Sequence, residues 1–435
     1  MGTTPRLKTA IAAAALLTGL SGAASAFCGL YVAKADSKLF NKSSKVVLAR
    51  KDNETAITMA SDYQGEPKEF ALVIPVPTFI ERKQIGVVEM KTIDHLDAYT
   101  APRLVEYQDP DPCAPPIVAL AVPAPGTRAM QKAGAEIVRY RGVTVEASYD
   151  VAEYDVSILS AKESDGLVNW LTDNGYRLPA GAAAVLGSYI RQGMRFFVAK
   201  VNLERMQVLG NNYLRPLQVR YQSAKFMLPL RLGTVNAEGP QDLIVNALTR
   251  SGRVEASNYS TVKVPSDVDI PLYVKQDFGA FYKAMFDRAV AREKMRAVFV
   301  EYAWDMGWCD PCAANPLSNK ELVELGVRWI ADEDDRPFRP VNGNTVFVTR
   351  MHVRYDAETF PEDLVFLETS DRANFQGRYI LRHPWTGEAT CPAADGYRAS
   401  LPGRYRTEAD TLASMTGWAH PDIEDRMAKT GRPVK

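Results

Sequence analysis

Cys309 and Cys312 stand three positions apart in Trp308-Cys309-Asp310-Pro311-Cys312. That spacing supports three chemistries. The two sulfurs can close a short structural bridge. A thiolate at Cys309 can attack a disulfide, with Cys312 as the resolving thiol. Both can also ligate a metal, although zinc needs two further ligands and the chain has no second C-x-x-C or H-x-x-x-H. The leading reading is the structural bridge, with thiol–disulfide exchange and metal binding as alternatives. Cys28, Cys113 and Cys391 bring the count to five. An odd count leaves at least one cysteine unpaired within a monomer. These three are candidate disulfide staples for the N-terminal segment and for two loops, and sequence alone leaves their connectivity open. No catalytic residue is assigned outside the Cys309–Cys312 pair, and no cofactor is expected.

The four histidines offer little else. His95 lies between Asp94 and Asp97 on an expected helix and reads as part of a solvated face. His352 should share a strand face with Arg350 and Arg354. Those cations would disfavour its protonation, and the strip reads as an exposed polar face that could attract anions. His383, before Pro384 and Trp385, closes a strand and reads as packing. The acidic run Asp332-Glu333-Asp334-Asp335 lacks the alternating ligands and central glycine of a calcium loop and reads as solvated. Beyond residue 26 there is no G-x-S-x-G elbow, P-loop, G-x-G-x-x-G or H-E-x-x-H.

The elements that must position these residues follow from local patterns. Lys45–Arg50 and Glu54–Ser61 predict a hairpin turning at Lys51-Asp52-Asn53, and Phe70–Val76 predicts a buried strand. Ser164–Asn174 and Gly181–Gln192 predict helices that stop at Gly175 and Gly193, where a left-handed residue is needed. Lys225–Gly233 places Phe226, Leu228, Leu230 and Leu232 on one face of a strand. Asp277 should cap a helix with Phe278, Phe281, Tyr282, Met285 and Ala289 along its apolar stripe. Ala297–Ala303 should be the strand that feeds the cysteine pair. Ser318 and Glu321 have capping-box spacing. Thr345–Tyr355 and Asn374–Arg382 read as strands, and the last twenty-odd residues as a loosely held polar tail. The result is an α+β chain, β-rich with antiparallel strands and several short helices, in two or three subdomains. The blocks are a signal peptide over 1–26, a β-rich region over 27–126, a mixed region over 127–275, a helix-plus-strand region with the cysteine pair over 276–410, and a polar tail over 411–435.

Arg6 and Lys8, the apolar stretch Ala10–Leu20 and Ala24-Ser25-Ala26 form the three parts of a Sec-type signal peptide cleaved after Ala26. The expected location is therefore periplasmic or secreted. No later apolar run is long enough for a transmembrane anchor. Lys and Arg total 52 against 52 Asp and Glu, so cleavage would leave a net charge near −2. That balance argues against a nucleic-acid partner held by bulk charge. The partner stays unassigned between an envelope protein and a small-molecule ligand.

Two resemblances add to this. Val300 to Cys312 resembles the active-site strand and turn of thioredoxin-like proteins, whereas Pro316 and the new cap at Ser318 interrupt the long helix that follows the pair in that fold. Phe27-Cys28-Gly29-Leu30-Tyr31-Val32-Ala33-Lys34-Ala35, Phe70–Pro77, the Trp308–Cys312 string and Arg378–Trp385 together resemble a bacterial exported family known only as domain of unknown function 2330. This resemblance implies an exported protein with no assigned activity. The expectation is a non-enzymatic binding or cell-envelope structural protein held partly by disulfides.

Overall fold

The computed structural model describes residues 30–34, 40–64, 70–114, 144–209, 213–235, 237, 239–308, 314–330, 336–340, 345–388, 391–432 and 434. Cys28, Cys309, Cys312 and the acidic run 332–335 lie outside them.

Strands and helices are numbered along the chain. One sheet of nine strands, counted among the described residues, runs β15 (Ser260–Lys263), β17 (Ala297–Asp305), β18 (Phe347–Tyr355), β13 (Gln241–Thr249), β2 (Phe40–Lys51), β3 (Glu54–Gln64), β11 (Leu217–Gln222) and β5 (Ile85–Val87), with β20 (Phe375–Gln376) also paired to β17. A six-stranded sheet runs β7 (Thr144–Val151), β8 (Tyr154–Ser160), β10 (Arg195–Val201), β4 (Phe70–Val76), β1 (Leu30–Lys34) and β9 (Tyr176–Arg177). Two three-stranded sheets complete the set among the described residues: β12 (Met227–Leu228), β19 (Leu364–Glu368) and β14 (Val254–Ala256); and β16 (Val268–Asp269), β21 (Arg378–His383) and β6 (Arg103–Gln108). Most pairings are antiparallel. The parallel ones include β2 with β13 and β15 with β17.

Period-two alternation sorts the side chains into layers. Val46 and Leu48 of β2, Leu243 and Val245 of β13, and Met351 and Val353 of β18 meet Leu72 and Ile74 of β4 and Phe197 and Ala199 of β10 in one continuous core between the two large sheets. The outer face of the six-stranded sheet, with Val73, Phe196 and Val198, packs against α2 (Ser164–Asp173) and α3 (Ala182–Arg191) through Leu167, Leu171, Leu186 and Tyr189. The outer face of the nine-stranded sheet is covered in two places. Over Val47, Ala49 and Val348 lie α1 (Met90–Thr100) and α7 (Asn319–Glu324). Over Phe299 lies α6 (Phe278–Arg292), backed by α8 (Pro392–Thr416). The section is thus helix, sheet, sheet, helix, an α+β architecture. The nine-stranded sheet draws strands from each of the blocks 27–126, 127–275 and 276–410.

Local signals explain several boundaries. The hairpin of β2 and β3 turns at Asp52 with φ of 54°. Gly175 and Gly193 stop α2 and α3 at φ of 84° and 73°. The Ser318 hydroxyl accepts from the Glu321 N–H while the Glu321 carboxylate accepts from the Ser318 N–H, the reciprocal cap expected for α7.

Three expectations need correction. The Lys225–Gly233 strand shrinks to β12, followed by the single turn α5 (Arg231–Thr234). Pro229 removes one ladder donor, and the Asp363 carboxylate takes the N–H groups of Leu230 and Arg231, which bends the chain. Leu228, Leu230 and Leu232 are nonetheless fully buried. Asp277 does not cap α6. A 3₁₀ turn over Leu272–Asp277 leads directly into that helix, and the Asp277 carboxylate pairs with Arg426 instead. The loose tail is ordered: α8 runs to Thr416, and α9 (His420–Lys429) follows. Leu412, Met415, Ile423 and Met427 are buried in the core that α6 shares with them.

Candidate functional site

A carboxylate in the middle of a buried strand needs an explanation. Every residue of β17 is buried, and Glu301 has 1% of its side chain exposed. Ionised and alone there, it would cost several kcal/mol. The β18 register resolves this. Met351, Val353 and Tyr355 point into the core between the sheets, so Arg350, His352 and Arg354 point to the helical side. There Arg350 donates from Nε to Glu301 Oε2 at 2.5 Å, and His352 Nδ1 lies 2.8 Å from Glu301 Oε1. The Tyr282 hydroxyl of α6 donates to the same Oε1.

The network extends along the sheet and up into the helices. Arg350 also pairs with Asp97 of α1 and donates to Thr100 Oγ1 at 3.2 Å. Lys45 Nζ reaches Asp97 Oδ2 at 2.7 Å. On the other side, His352 Nε2 is 3.4 Å from Asp242 Oδ1 of β13. Arg354 grips Asp242 with two parallel hydrogen bonds of 2.8 and 2.9 Å and reaches Asp287 of α6 at 2.5 Å. Such forked pairing is the strongest form of an ion pair. The ladder therefore ties α1 and α6 to four neighbouring strands, β17, β18, β13 and β2.

Charge bookkeeping fixes the protonation. Five carboxylates, Asp94, Asp97, Asp242, Asp287 and Glu301, face Lys45, Lys283, Arg350, Arg354 and His352, so the ladder balances with His352 protonated. Burial opposes the imidazolium, but Glu301 and Asp242 outweigh it and raise the His352 pKa above its ordinary value. Burial likewise pushes Glu301 upward, and Arg350 and His352 override it, holding the carboxyl at about 2. Asp242 also sits at about 2, its burial offset by His352 and Arg354.

This corrects the expectation for His352. The strip is buried, with His352 only 9% exposed, and its protonation is favoured. The two flanking arginines were visible in the sequence; the carboxylates that neutralise them come from β17, β13, α1 and α6. One signal was present: Glu301 is the single charge inside Ala297-Val298-Phe299-Val300-Glu301-Tyr302-Ala303-Trp304.

The remaining histidines form simpler pairs. His95 is not fully solvated: Nδ1 lies 2.8 Å from Glu321 and Nε2 2.9 Å from the Asn315 carbonyl, so it pins α1 to α7. His383 Nε2 lies 2.8 Å from Glu106 across the parallel β21–β6 pair. Among the described residues, no three His, Cys, Asp or Glu side chains converge as metal ligands.

Of the five cysteines, Cys113 and Cys391 are joined in a disulfide that spans 278 residues. It fastens the chain just after β6 to the N-cap position of α8. Cys28, Cys309 and Cys312 remain, enough for at most one more bridge within a monomer. The described chain before the pair ends at Trp308, which is 53% exposed and stands edge-on to Trp304 with ring centroids 4.9 Å apart. A small cavity between the large sheets, lined by Met59, Leu72, Ile74, Tyr154, Leu214, Arg215 and Leu217, has room for little more than one water molecule. No described helix is long and apolar enough to cross a membrane.

No curated protein and no solved structure matches the chain. A family model does, over residues 22–367, a span that includes the six-stranded sheet, every strand of the larger sheet but β20, Glu301 and the His352 ladder. The chain belongs to the bacterial family described as an uncharacterized protein conserved in bacteria, DUF2330.

Proposed function

We propose that this is an exported, non-enzymatic binding or cell-envelope structural protein of its family. The observation that carries the reading is the Cys113–Cys391 bridge. Disulfides persist where the surroundings are oxidising, which agrees with a signal peptide over residues 1–26 and release to the periplasm or medium. The arrangement of the buried ladder supports a structural role. His352 and Tyr282 contact Glu301, but their ends are spent on internal partners, so the ladder stiffens the sheet–helix joint. Fractionation of cells expressing the full chain, combined with thiol trapping, tests the reading. The expected result is a shortened chain in the exported fraction with Cys113 and Cys391 protected from alkylation. An unshortened cytoplasmic chain with both thiols free would overturn it.

Thiol–disulfide exchange at Cys309 and Cys312 is the second reading, favoured by the exposure of Trp308 directly before Cys309. Trapping in graded glutathione buffers separates the two. A Cys309–Cys312 bridge that stays closed near about −300 mV is a structural staple, whereas exchange between roughly −120 and −230 mV marks a redox pair. Thiols that never close would turn attention to metal.

A further inference from the structure

Arg103, the first residue of β6, is the one described arginine whose three side-chain nitrogens are all closed off from solvent without a hydrogen-bond partner among the described residues. Other buried guanidinium groups are answered. Arg350 has Glu301 and Asp97, Arg215 has Glu153, and Arg231 has Asp363. Even Arg50, which lacks a carboxylate, donates to Thr55 Oγ1 and to the carbonyls of Ser223 and Ala224. A buried cation with nothing to receive its five N–H bonds is costly, so the site demands an acceptor.

The surroundings are specific. The Arg103 N–H donates to the Gly377 carbonyl at 2.9 Å, which sets the start of β6 beside the end of β20. Gln376 of β20 pairs with Tyr302 of β17, and its Oε1 is also buried without a partner. Tyr302 meets Tyr99 edge-on at 5.7 Å and lies along Trp304 at 6.2 Å, and the Trp304 Nε1–H is another buried donor with no acceptor. The groups that act electrostatically on Arg103 are Tyr302, Tyr99 and the cation Arg378, with no carboxylate among them. Asp305, the nearby acid, is engaged by Arg372. Donors are thus in excess, and a planar fork matches two oxygens of an oxyanion. A metal cation would be repelled by Arg103.

We propose that Arg103 anchors a binding site for a small oxyanion, enclosed by the aromatic side chains of Tyr99, Tyr302 and Trp304. Trp308, the exposed ring that packs on Trp304, marks the solvent side of this aromatic cluster. The site is separate from the Glu301 ladder and does not depend on export.

The test uses the full chain, freed of anions by dialysis and titrated at constant ionic strength with sodium acetate, sulfate, phosphate or chloride. Tryptophan fluorescence and melting temperature are read after equilibration. The expected result is a saturable response to at least one oxyanion and none to chloride. Arg103→Lys, which keeps the charge but loses the fork, should bind at least tenfold more weakly. Response to acetate alone assigns a carboxylate ligand, and response to sulfate or phosphate assigns an inorganic one. Equal response to chloride, no saturable response to any oxyanion, or unchanged binding in Arg103→Lys overturns the proposal. Should the lysine variant fail to fold, the wild-type comparison of oxyanions with chloride decides alone.

Discussion

The imidazole of His352 lies flat on the ring of Phe286, with centroids 3.7 Å apart and planes 6° from parallel. Its two nitrogens meanwhile face Glu301 and Asp242. A protonated imidazole stacked on an aromatic face gains from the ring quadrupole as well as from the acids. The helix α6 thus presses an apolar ring onto the charged centre of the sheet.

The first prediction concerns pH. The folded-state pKa of His352 is raised, so its stabilising contribution is complete below the ordinary histidine value of about 6.5 and fades as pH climbs through the folded value. Arg350, Arg354, Asp287 and Tyr282 also face this group, and none of them titrates near neutrality. Urea denaturation across pH 6 to 9 should show a falling limb that His352→Asn flattens. A limb of the same slope in the variant would rule out His352 as its source.

Glu301 should be far more costly to lose alone than together with its partner. Glu301→Gln leaves Arg350 and His352 buried without their shared carboxylate charge, a loss of roughly 3–5 kcal/mol. Glu301→Leu combined with Arg350→Leu should cost clearly less than the two single changes added. Strict additivity in that double-mutant cycle would show that the two groups do not act as a pair.

The disulfide gives a simpler measurement. Cys113→Ser should destabilise by about 2–5 kcal/mol, and added reductant should bring the wild type to the same stability. Melting of both proteins with and without dithiothreitol checks this, and a wild type indifferent to reductant would count against a structural bridge.

Glu408 of α8 predicts the opposite kind of pH dependence to the other acids. It is 1% exposed, and burial lifts its pKa to about 7 despite Arg404, whose Nε stands 3.5 Å from Oε1 without hydrogen-bond geometry. The folded value exceeds the unfolded one, so stability present at low pH is lost as pH rises from about 4.5 to 7. Glu408→Gln should be close to neutral at pH 5 and stabilising by roughly 1–3 kcal/mol at pH 8. Chemical denaturation at those two pH values decides it, and an equal effect at both would mean the carboxyl is not the titrating group.

What the chain reveals about itself tracks the distance between interacting residues. Ser318 and Glu321 are three apart, and their reciprocal cap was legible; so were Gly175 and Gly193, whose role needs only their own backbone. His352 and Glu301 are 51 apart, and Arg350 and Asp97 253 apart, so a strip that looks exposed and repulsive on its own becomes a balanced ladder once folded. The bend after β12 depends on Asp363, which no local pattern over Lys225–Gly233 contains. In α9 only Ile423 and Met427 are buried, one turn apart, too thin a stripe to separate a docked helix from a polar tail. The mix of helices and antiparallel strands is written locally, whereas the sheet order is not.

That order has a temporal consequence. The central neighbour of β2 is β13, with Val46 set against Val245 in parallel register. A nascent chain that has made only β2 and β3 holds a hairpin with both flanks open, β3 waiting for β11 and β2 for a strand almost two hundred positions later. Loop closure over that length comes before any reward, so folding is slow and late. Until those strands arrive, the exposed edge of β2 is the place where a folding chaperone would have most to do.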